Sequence, residues 1–356
     1  MTNPVAIDRA HGGTAPEGVV DFSISINPLG PPDAARAAYE RAWSQIAAYP
    51  PAKSAALEGR LAEWLAVPAG NVLAGNGTTQ LIYLLARVLE PARPFVVIPT
   101  FSEIANALAG EGLPPEPIRL DPQRGYRLDL SQIDGALAGH AGAIFIGRPN
   151  SPTGTMLTIA EVGEIAARCA NRGCWCVVDE AFIDFVDPPE SAVRLAAENP
   201  RVIVLRSLTK SFAIPGLRLG CVVAPVEVAV ALRDAIEPWS VNMAAESVGL
   251  ACLDGAEGYL KRTREFVATE RAYLSRELSN VRELTAYPSV ANFLMIAVNG
   301  ETASGEFGRR MLENGIAIRD LATLPGCGAG LYRIGVRTHA DNQLLVQAAI
   351  KIQGHR

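Results

Sequence analysis

The chain has 356 residues, room for about two domains at roughly 150 residues each. Its 32 Lys and Arg against 37 Asp and Glu leave a formal charge of −5, which argues against a general nucleic-acid binder, because that function needs a basic surplus. Hydrophobic residues make up 49% of the chain, enough for a sizeable core, yet no apolar run reaches the roughly 18 to 20 residues of a membrane span.

The first residues, MTNPVAIDRAHGGTAPEG, contain no apolar signal-peptide core, so a cytoplasmic protein is expected. Residues 1–40 are rich in Pro and Gly and read as an arm. The string GNGTTQ, residues 75–80, precedes an apolar helical pattern over 81–89. Short apolar runs follow at 95–98 (FVVI), 143–146 (AIFI), 174–178 (CWCVV) and 202–205 (VIVL), each ending in turn or polar residues. Such runs, apolar on both faces, suit buried parallel strands. A helical pattern over 159–172 lies between two of them, with Thr158 as N-cap and Gly173 as C-cap. The alternation predicts a mostly parallel α/β sheet. Beyond about residue 240 the pattern changes to a helical stretch near 242–280. Strand-like pieces at 293–298 and 331–336 then flank a helical stretch at 305–314, which reads as a smaller α+β domain. The expected organisation is an arm over 1–40 that packs with the small domain, a large domain over 41–240 and the small domain over 241–356. The six cysteines show no CxxC pair and no zinc spacing, so buried thiols are expected and no metal site.

Ligands of open α/β sheets sit beyond the carboxyl ends of the strands. The polar residues there form one candidate site: Asn76–Thr79, Asn150, Asp179 and Ser207-Leu208-Thr209-Lys210, with Arg218 shortly after. A partly desolvated Lys210 beside other cations would lose its proton readily and act as a nucleophilic amine. Ser207, Thr209 and Arg218 can donate to a phosphate, as can the free backbone N–H groups at the helix N-terminus that GNGTTQ makes before residues 81–89. Asp179, at the end of an apolar strand, needs a cationic or hydrogen-bonding partner. A protonated pyridine nitrogen would serve. Phosphate anchor, amine and carboxylate are the three parts that pyridoxal phosphate requires of a protein.

The ordered strings GNGTTQ, PTF, RPNSPTG, DEAF, SLTK and GLRLG resemble the fold-type-I pyridoxal-phosphate enzymes of the aspartate aminotransferase superfamily. The resemblance implies an α/β fold with a mostly parallel sheet in a large domain and a smaller α+β domain. It makes Lys210 the covalent anchor of pyridoxal 5'-phosphate, Asp179 the partner of the pyridine nitrogen and Asn150 the partner of the ring oxygen. Ser207, Thr209, Arg218 and the amides of Gly77 and Thr78 would hold the phosphate, and Phe101 would stack on the ring. Two departures stand out. Phe182 replaces a common tyrosine, and Ser151 replaces a common asparagine.

Within the superfamily the chain resembles the histidinol-phosphate aminotransferase group, and inside it the L-threonine O-3-phosphate decarboxylases of cobalamin biosynthesis. His11-Gly12-Gly13, DFSISINPLGP (residues 21–31), DEAFIDF and RSLTKSFAIPGLRLG carry that finer likeness. It implies decarboxylation of threonine phosphate to (R)-1-amino-2-propanol O-2-phosphate, with histidinol-phosphate aminotransfer as the alternative. It also implies a substrate end lined by His11, Asn27, Arg319, Arg333 and Arg337, and a homodimer in which Tyr49 reaches the neighbouring subunit's site. Residues four apart in an extended strand face the same side, which would let Arg333 and Arg337 converge on a dianionic, phosphorylated amino acid. The intact lysine, aspartate, asparagine and arginine set argues against a non-catalytic scaffold. Partners on nucleic acid or membrane are not expected.

Overall fold

The computed structural model of the chain describes residues 4–301 and 305–354. In chain order its strands are β1 (Val20–Asp21), β2 (Val72–Gly75), β3 (Pro94–Ile98), β4 (Glu116–Arg119), β5 (Ala143–Gly147), β6 (Trp175–Asp179), β7 (Val202–Ser207), β8 (Gly220–Val223), β9 (Leu284–Ala286), β10 (Phe293–Val298), β11 (Ile316–Ala317), β12 (Arg319–Asp320) and β13 (Leu331–Gly335). Seven of them form a sheet in the order β2-β8-β7-β6-β5-β3-β4, parallel throughout except for β8. β12, β13, β10 and β9 form an antiparallel sheet, and β1 pairs in parallel with β11.

The large sheet is covered on both faces, as its apolar runs require. Along β7, Val202 and Val204 join the core cluster on one face, while Ile203 and Leu205 join the cluster on the other. Along β6, Cys176 and Val178 face the first cluster and Val177 the second. Burying each such side chain contributes about 1.5–3 kcal/mol. A third cluster lies on the antiparallel sheet and takes in Phe22 from the N-terminal segment, Leu274, Ile296 and Ile334. Cys169, Cys174 and Cys176 are free and buried, as the apolar run around the last two suggests.

Helix boundaries differ from the sequence pattern for local reasons. The helix Ile159–Ala170 starts at Thr158 through a capping box with Glu161, and its C-cap is Asn171 rather than Gly173, which instead takes a positive φ in the following turn. The stretch expected over 242–280 is two helices, Met243–Asp254 and Ala256–Ser279, parted at the non-helical Gly255. The N-terminal segment is more structured than its Pro and Gly suggest. It contributes β1, and a helix begins at Asp33 and runs to Trp43. No helix among the described residues is long and apolar enough to cross a membrane.

Candidate active site

The carboxyl ends of β2, β3, β5, β6 and β7 open on one cavity of about 640 Å³. The large sheet lines one side of it. The other side is closed by residues 9–12, by Ser23–Ser25 and by Arg319 and Arg333 of the antiparallel sheet. Each chemical group arrives there because its strand stops there. β6 ends on Asp179, β7 ends on Ser207, and the short helix Leu208–Ser211 turns Lys210 back towards the cavity.

Lys210 and Asp179 both line this cavity and influence each other's charge. Burial, with Arg333 and Arg218 nearby, lowers the Lys210 pKa to about 8. Burial raises that of Asp179 to about 6, even though its carboxylate accepts from the Ala181 N–H at 3.0 Å. A lysine close to neutral and an aspartate that needs a cation are complementary to a ligand bearing an electrophilic carbon and a basic ring nitrogen.

An anion cradle lies beside them. The Ser207 and Thr209 hydroxyls are buried and 2.7 Å apart. Thr78 lines the cavity at the N-terminus of the helix Gly77–Leu89. Two glycines permit the close packing. A Cβ on Gly77, where φ is +78°, would stand 2.7 Å from Arg218 Nη2, and one on Gly220 would stand 2.9 Å from the Thr78 nitrogen. Arg218 itself adopts φ 59°, a left-handed conformation rare for arginine, and lines the cavity. Strain of this kind is concentrated where a ligand must be met.

Asn150 donates to the Pro99 carbonyl at 2.8 Å and to the Thr153 hydroxyl at 2.9 Å, while its buried Oδ1 has no partner among the described residues. An orphaned acceptor costs about 1–3 kcal/mol, a cost that a donor on a bound ring relieves. Asn150 is not itself among the residues that line the cavity, although its neighbours Pro149 and Ser151 are, whereas Phe101 lines it with its ring centroid 6.3 Å from that of His11. Amine, carboxylate, anion cradle, orphaned amide and aromatic face together fit pyridoxal phosphate.

The substrate-end residues divide. His11, Arg319 and Arg333 line the cavity. His11 Nε2 lies 3.0 Å from Glu103 Oε1, and Arg319 reaches Asp8 at 3.5 Å and the Ala10 carbonyl. Arg333 donates to the Ser23 carbonyl at 2.8 Å. Asn27 does not reach the cavity surface. It is 3% exposed and sits behind Lys210, bonded to the Ser211 carbonyl and the Thr263 hydroxyl. Arg337 does not converge with Arg333, because β13 ends at Gly335 and the extended spacing does not continue to it. Its guanidinium binds Asp341 at 3.1 Å and the Asp21 carbonyl at 3.2 Å, and lies over Phe22. Tyr49 is 80% exposed, on the outside against Trp239.

Several residues of the site were not foreseen. Arg9 and Glu103 line the cavity, and Ser151 accepts from Arg333 at 2.9 Å. Ser151 was noticed only as a departure from the family. Glu103 carried no signal, because an acidic residue in a first helical turn is an ordinary complement to the helix dipole. Phe182, the other departure, lines the cavity and meets Phe293 edge-on at 4.9 Å between centroids.

The pattern of the family described as aminotransferase class I and II matches residues 17–349. The threonine-phosphate decarboxylase of Salmonella typhimurium is 36% identical over 337 residues, 94% of this chain and 92% of that protein. A histidinol-phosphate aminotransferase of Symbiobacterium thermophilum is 35% identical over 335 residues, 93% of this chain and 89% of that protein. Among solved structures, the histidinol-phosphate aminotransferase of Clostridium acetobutylicum superposes with a TM-score of 0.85 at 22% identity, covering 93% of this chain and 98% of its own.

Proposed function

The chain belongs to the class I and II aminotransferase family, and from that premise we propose that it is a pyridoxal-phosphate enzyme that decarboxylates L-threonine O-3-phosphate to (R)-1-amino-2-propanol O-2-phosphate, a step of cobalamin biosynthesis. One observation carries this reading. A single cavity holds an anion cradle of Ser207, Thr209 and Arg218 beside Lys210, and a second cationic set of Arg319 and Arg333 across from it. Anionic groups of both molecules are thus accommodated, the cofactor's phosphate at the first set and the substrate's carboxylate and phosphate at the second. The 36% identity to a threonine-phosphate decarboxylase over nearly the whole chain supports that substrate.

Lys210 would carry the cofactor, Asp179 its ring nitrogen, Asn150 its ring oxygen and Phe101 its face. Ser207, Thr209, Arg218 and the amides of Gly77 and Thr78 would hold its phosphate. Bound there, the cofactor supplies an electron sink for the bonds of the substrate's α-carbon. The ionised Asp179 keeps the sink protonated and so withdrawing. Arg333 takes the substrate's carboxylate, which sets the bond that stands to break. Arg319 and His11 take its phosphate. Lys210 gives a proton to the α-carbon as CO2 departs, which balances the loss of the carboxylate. Residues 9–12 and 23–25 would shield this carbon from water. In this reading residues 41–240 form the cofactor-binding domain, and 241–356 with the arm of 1–40 close over it.

We read the protein as a homodimer in the cytoplasm. Trp43, Ile46, Tyr49 and Trp239 leave large apolar side chains exposed, 48–80% each, which a second copy would cover. Tyr49 would then stand at the partner's site. A sedimentation mass of one chain at micromolar concentration sinks this part.

The deciding assay is incubation of pyridoxal-phosphate-loaded protein with threonine phosphate and no 2-oxo acid. Release of CO2 is expected. No release, with amino transfer to 2-oxoglutarate from histidinol phosphate instead, supports the alternative that the 35% identity to an aminotransferase raises.

A further inference from the structure

Ser211 follows Lys210 and is fully buried. Its hydroxyl lies 2.6 Å from Asp184 Oδ2 and 3.2 Å from the Ser207 carbonyl. A hydroxyl has one proton, and the nearer, charged acceptor takes it. Asp184 is the middle residue of the 3-10 turn Ile183–Phe185, five residues after Asp179 closes β6. One buried hydrogen bond therefore joins the helix bearing the amine to the 3-10 turn that follows the strand bearing the carboxylate.

Asp184 is itself immobilised. It pairs with Arg206, which lies over Trp64 at 5.0 Å and reaches the Ser191 hydroxyl at 3.2 Å. Ser191 in turn donates to Glu180, and Glu180 pairs at 2.7 Å with Arg148, whose side chain is wholly buried. The chain of charges runs beneath the carboxyl ends of β5, β6 and β7. From the other side, the Asn27 amide N–H donates to the Lys210 carbonyl at 3.1 Å, and Asn27 Nδ2 to the Ser211 carbonyl at 2.7 Å. A helix of four residues, Leu208–Ser211, is too short to hold its own geometry. These outside bonds must hold it. Buried ion pairs are a poor route to stability, since apolar packing does as well, but they do fix geometry.

We propose that Asp184 is a positioning residue for Lys210: through the Ser211 hydroxyl it fixes the height of the lysine's turn against the segment that follows Asp179. The proposal rests on the reading of Lys210 as the cofactor's anchor.

The test uses Ser211→Ala, which removes the link and leaves the Asp184–Arg206 pair in place. The full-length, cofactor-free protein is mixed with pyridoxal phosphate across a pH series and quenched with borohydride. The adduct on Lys210 is followed by peptide mass mapping, which is simple because the chain has only four lysines, Lys53, Lys210, Lys261 and Lys351. In S211A the adduct should form about tenfold or more slowly, the scale that misplacement of a reacting group produces. Its pH midpoint should also move up, as a loosened lysine regains water. If S211A does not fold, Ser211→Cys takes its place, since a thiol nearly keeps the volume but is a much weaker donor to Asp184, and the Asp184–Arg206 pair stays intact. The same direction of shift is expected. A variant with the wild-type rate and midpoint overturns the proposal, whatever its melting temperature. Absence of the Lys210 adduct in wild-type protein overturns the cofactor reading and the proposal with it. An adduct in wild type with no difference in the variant overturns positioning alone.

Discussion

Arg333 donates to the Ser151 hydroxyl at 2.9 Å, a contact between the antiparallel sheet and the loop after β5. The same guanidinium lies 5.5 Å from the Phe293 ring centroid, and its buried Nε has no partner among the described residues. Burial and the neighbouring Arg319 lower its pKa to about 10, so it stays cationic through neutral pH. A fixed fork with N–H groups still unspent is suited to a carboxylate.

Arg333→Lys loses that fork. If the arginine binds the substrate's carboxylate, the loss of a charged hydrogen bond, about 1.5–3 kcal/mol, lowers kcat/KM for threonine phosphate roughly 10- to 150-fold. Cofactor affinity should not move, because Arg333 lies across the cavity from the anion cradle. Steady-state kinetics beside an absorbance titration with pyridoxal phosphate checks both. Equal losses in both would place Arg333 at the cofactor.

The pH dependence of cofactor capture follows from two groups. Lys210 must be neutral to attack, and its pKa is about 8. Asp179 must be ionised to receive the ring's cation, and its pKa is about 6. Capture by the cofactor-free protein should therefore rise between about pH 6 and pH 8 and level off above. A stopped-flow series would show it, and a rate still climbing in proportion to hydroxide above pH 9 would contradict it.

The same shifts act on stability in opposite directions. Asp179 is raised from 3.8 to about 6, so between those values the folded state binds more protons than the unfolded. Its contribution to stability is lost as pH rises through that window. Lys210 is lowered from 10.5 to about 8, so the unfolded state binds more protons there and stability is regained as pH rises from about 8. At neutral pH the cofactor-free protein holds two charges it would rather lose. Asp179→Asn should raise its melting temperature at pH 7 by about 2 °C or more, on the order of 1–3 kcal/mol, and the gain should vanish near pH 4. A variant less stable than wild type at pH 7 would show that Asp179 holds the fold together.

What the sequence disclosed and what it hid can be traced to range. β5, β6 and β7 were visible because their runs are apolar on both faces, and Asn150, Asp179 and Lys210 because each stands just past such a run. β8 was missed. Four residues inserted antiparallel between β2 and β7 leave no local pattern. Asn27 was misplaced because its side chain's partners, Ser211 and Thr263, lie 184 and 236 residues away. Arg337 was misplaced because the strand that would have aimed it stops two residues earlier.

Gly77→Ala should damage the anion cradle twice. The residue has φ +78°, where a Cβ is costly by about 1 kcal/mol. The new methyl would also stand 2.7 Å from Arg218 Nη2 and push that guanidinium away. A displaced charged donor weakens cofactor affinity by about 1.5–3 kcal/mol, or roughly 10- to 150-fold. Equilibrium titration with pyridoxal phosphate reads it, and unchanged affinity would remove Arg218 from the cradle.

Asp8 ties the N-terminal segment over the cavity. It is 5% exposed, and its carboxylate meets Arg319 at 3.5 Å, the Thr323 hydroxyl at 3.2 Å and the Ala10 N–H at 3.1 Å. Its backbone carbonyl accepts from Asn106 at 2.8 Å. Arg319 is poorly solvated here, and burial lowers its pKa against the pull of Asp8. Asp8→Ala removes one of the two carboxylates that act on that cation, Asp320 being the other, and leaves the segment with one anchor fewer. The segment bearing Arg9, His11 and Gly12 should then open, and its amides should exchange faster with solvent while those of β5, β6 and β7 do not. The KM for threonine phosphate should rise about tenfold, as for loss of one charged contact, with a smaller change in kcat. Hydrogen exchange read by mass spectrometry over residues 4–23 decides it. Unchanged exchange there would mean that the segment is held by its packing on the antiparallel sheet, where Phe22 is buried, and not by Asp8.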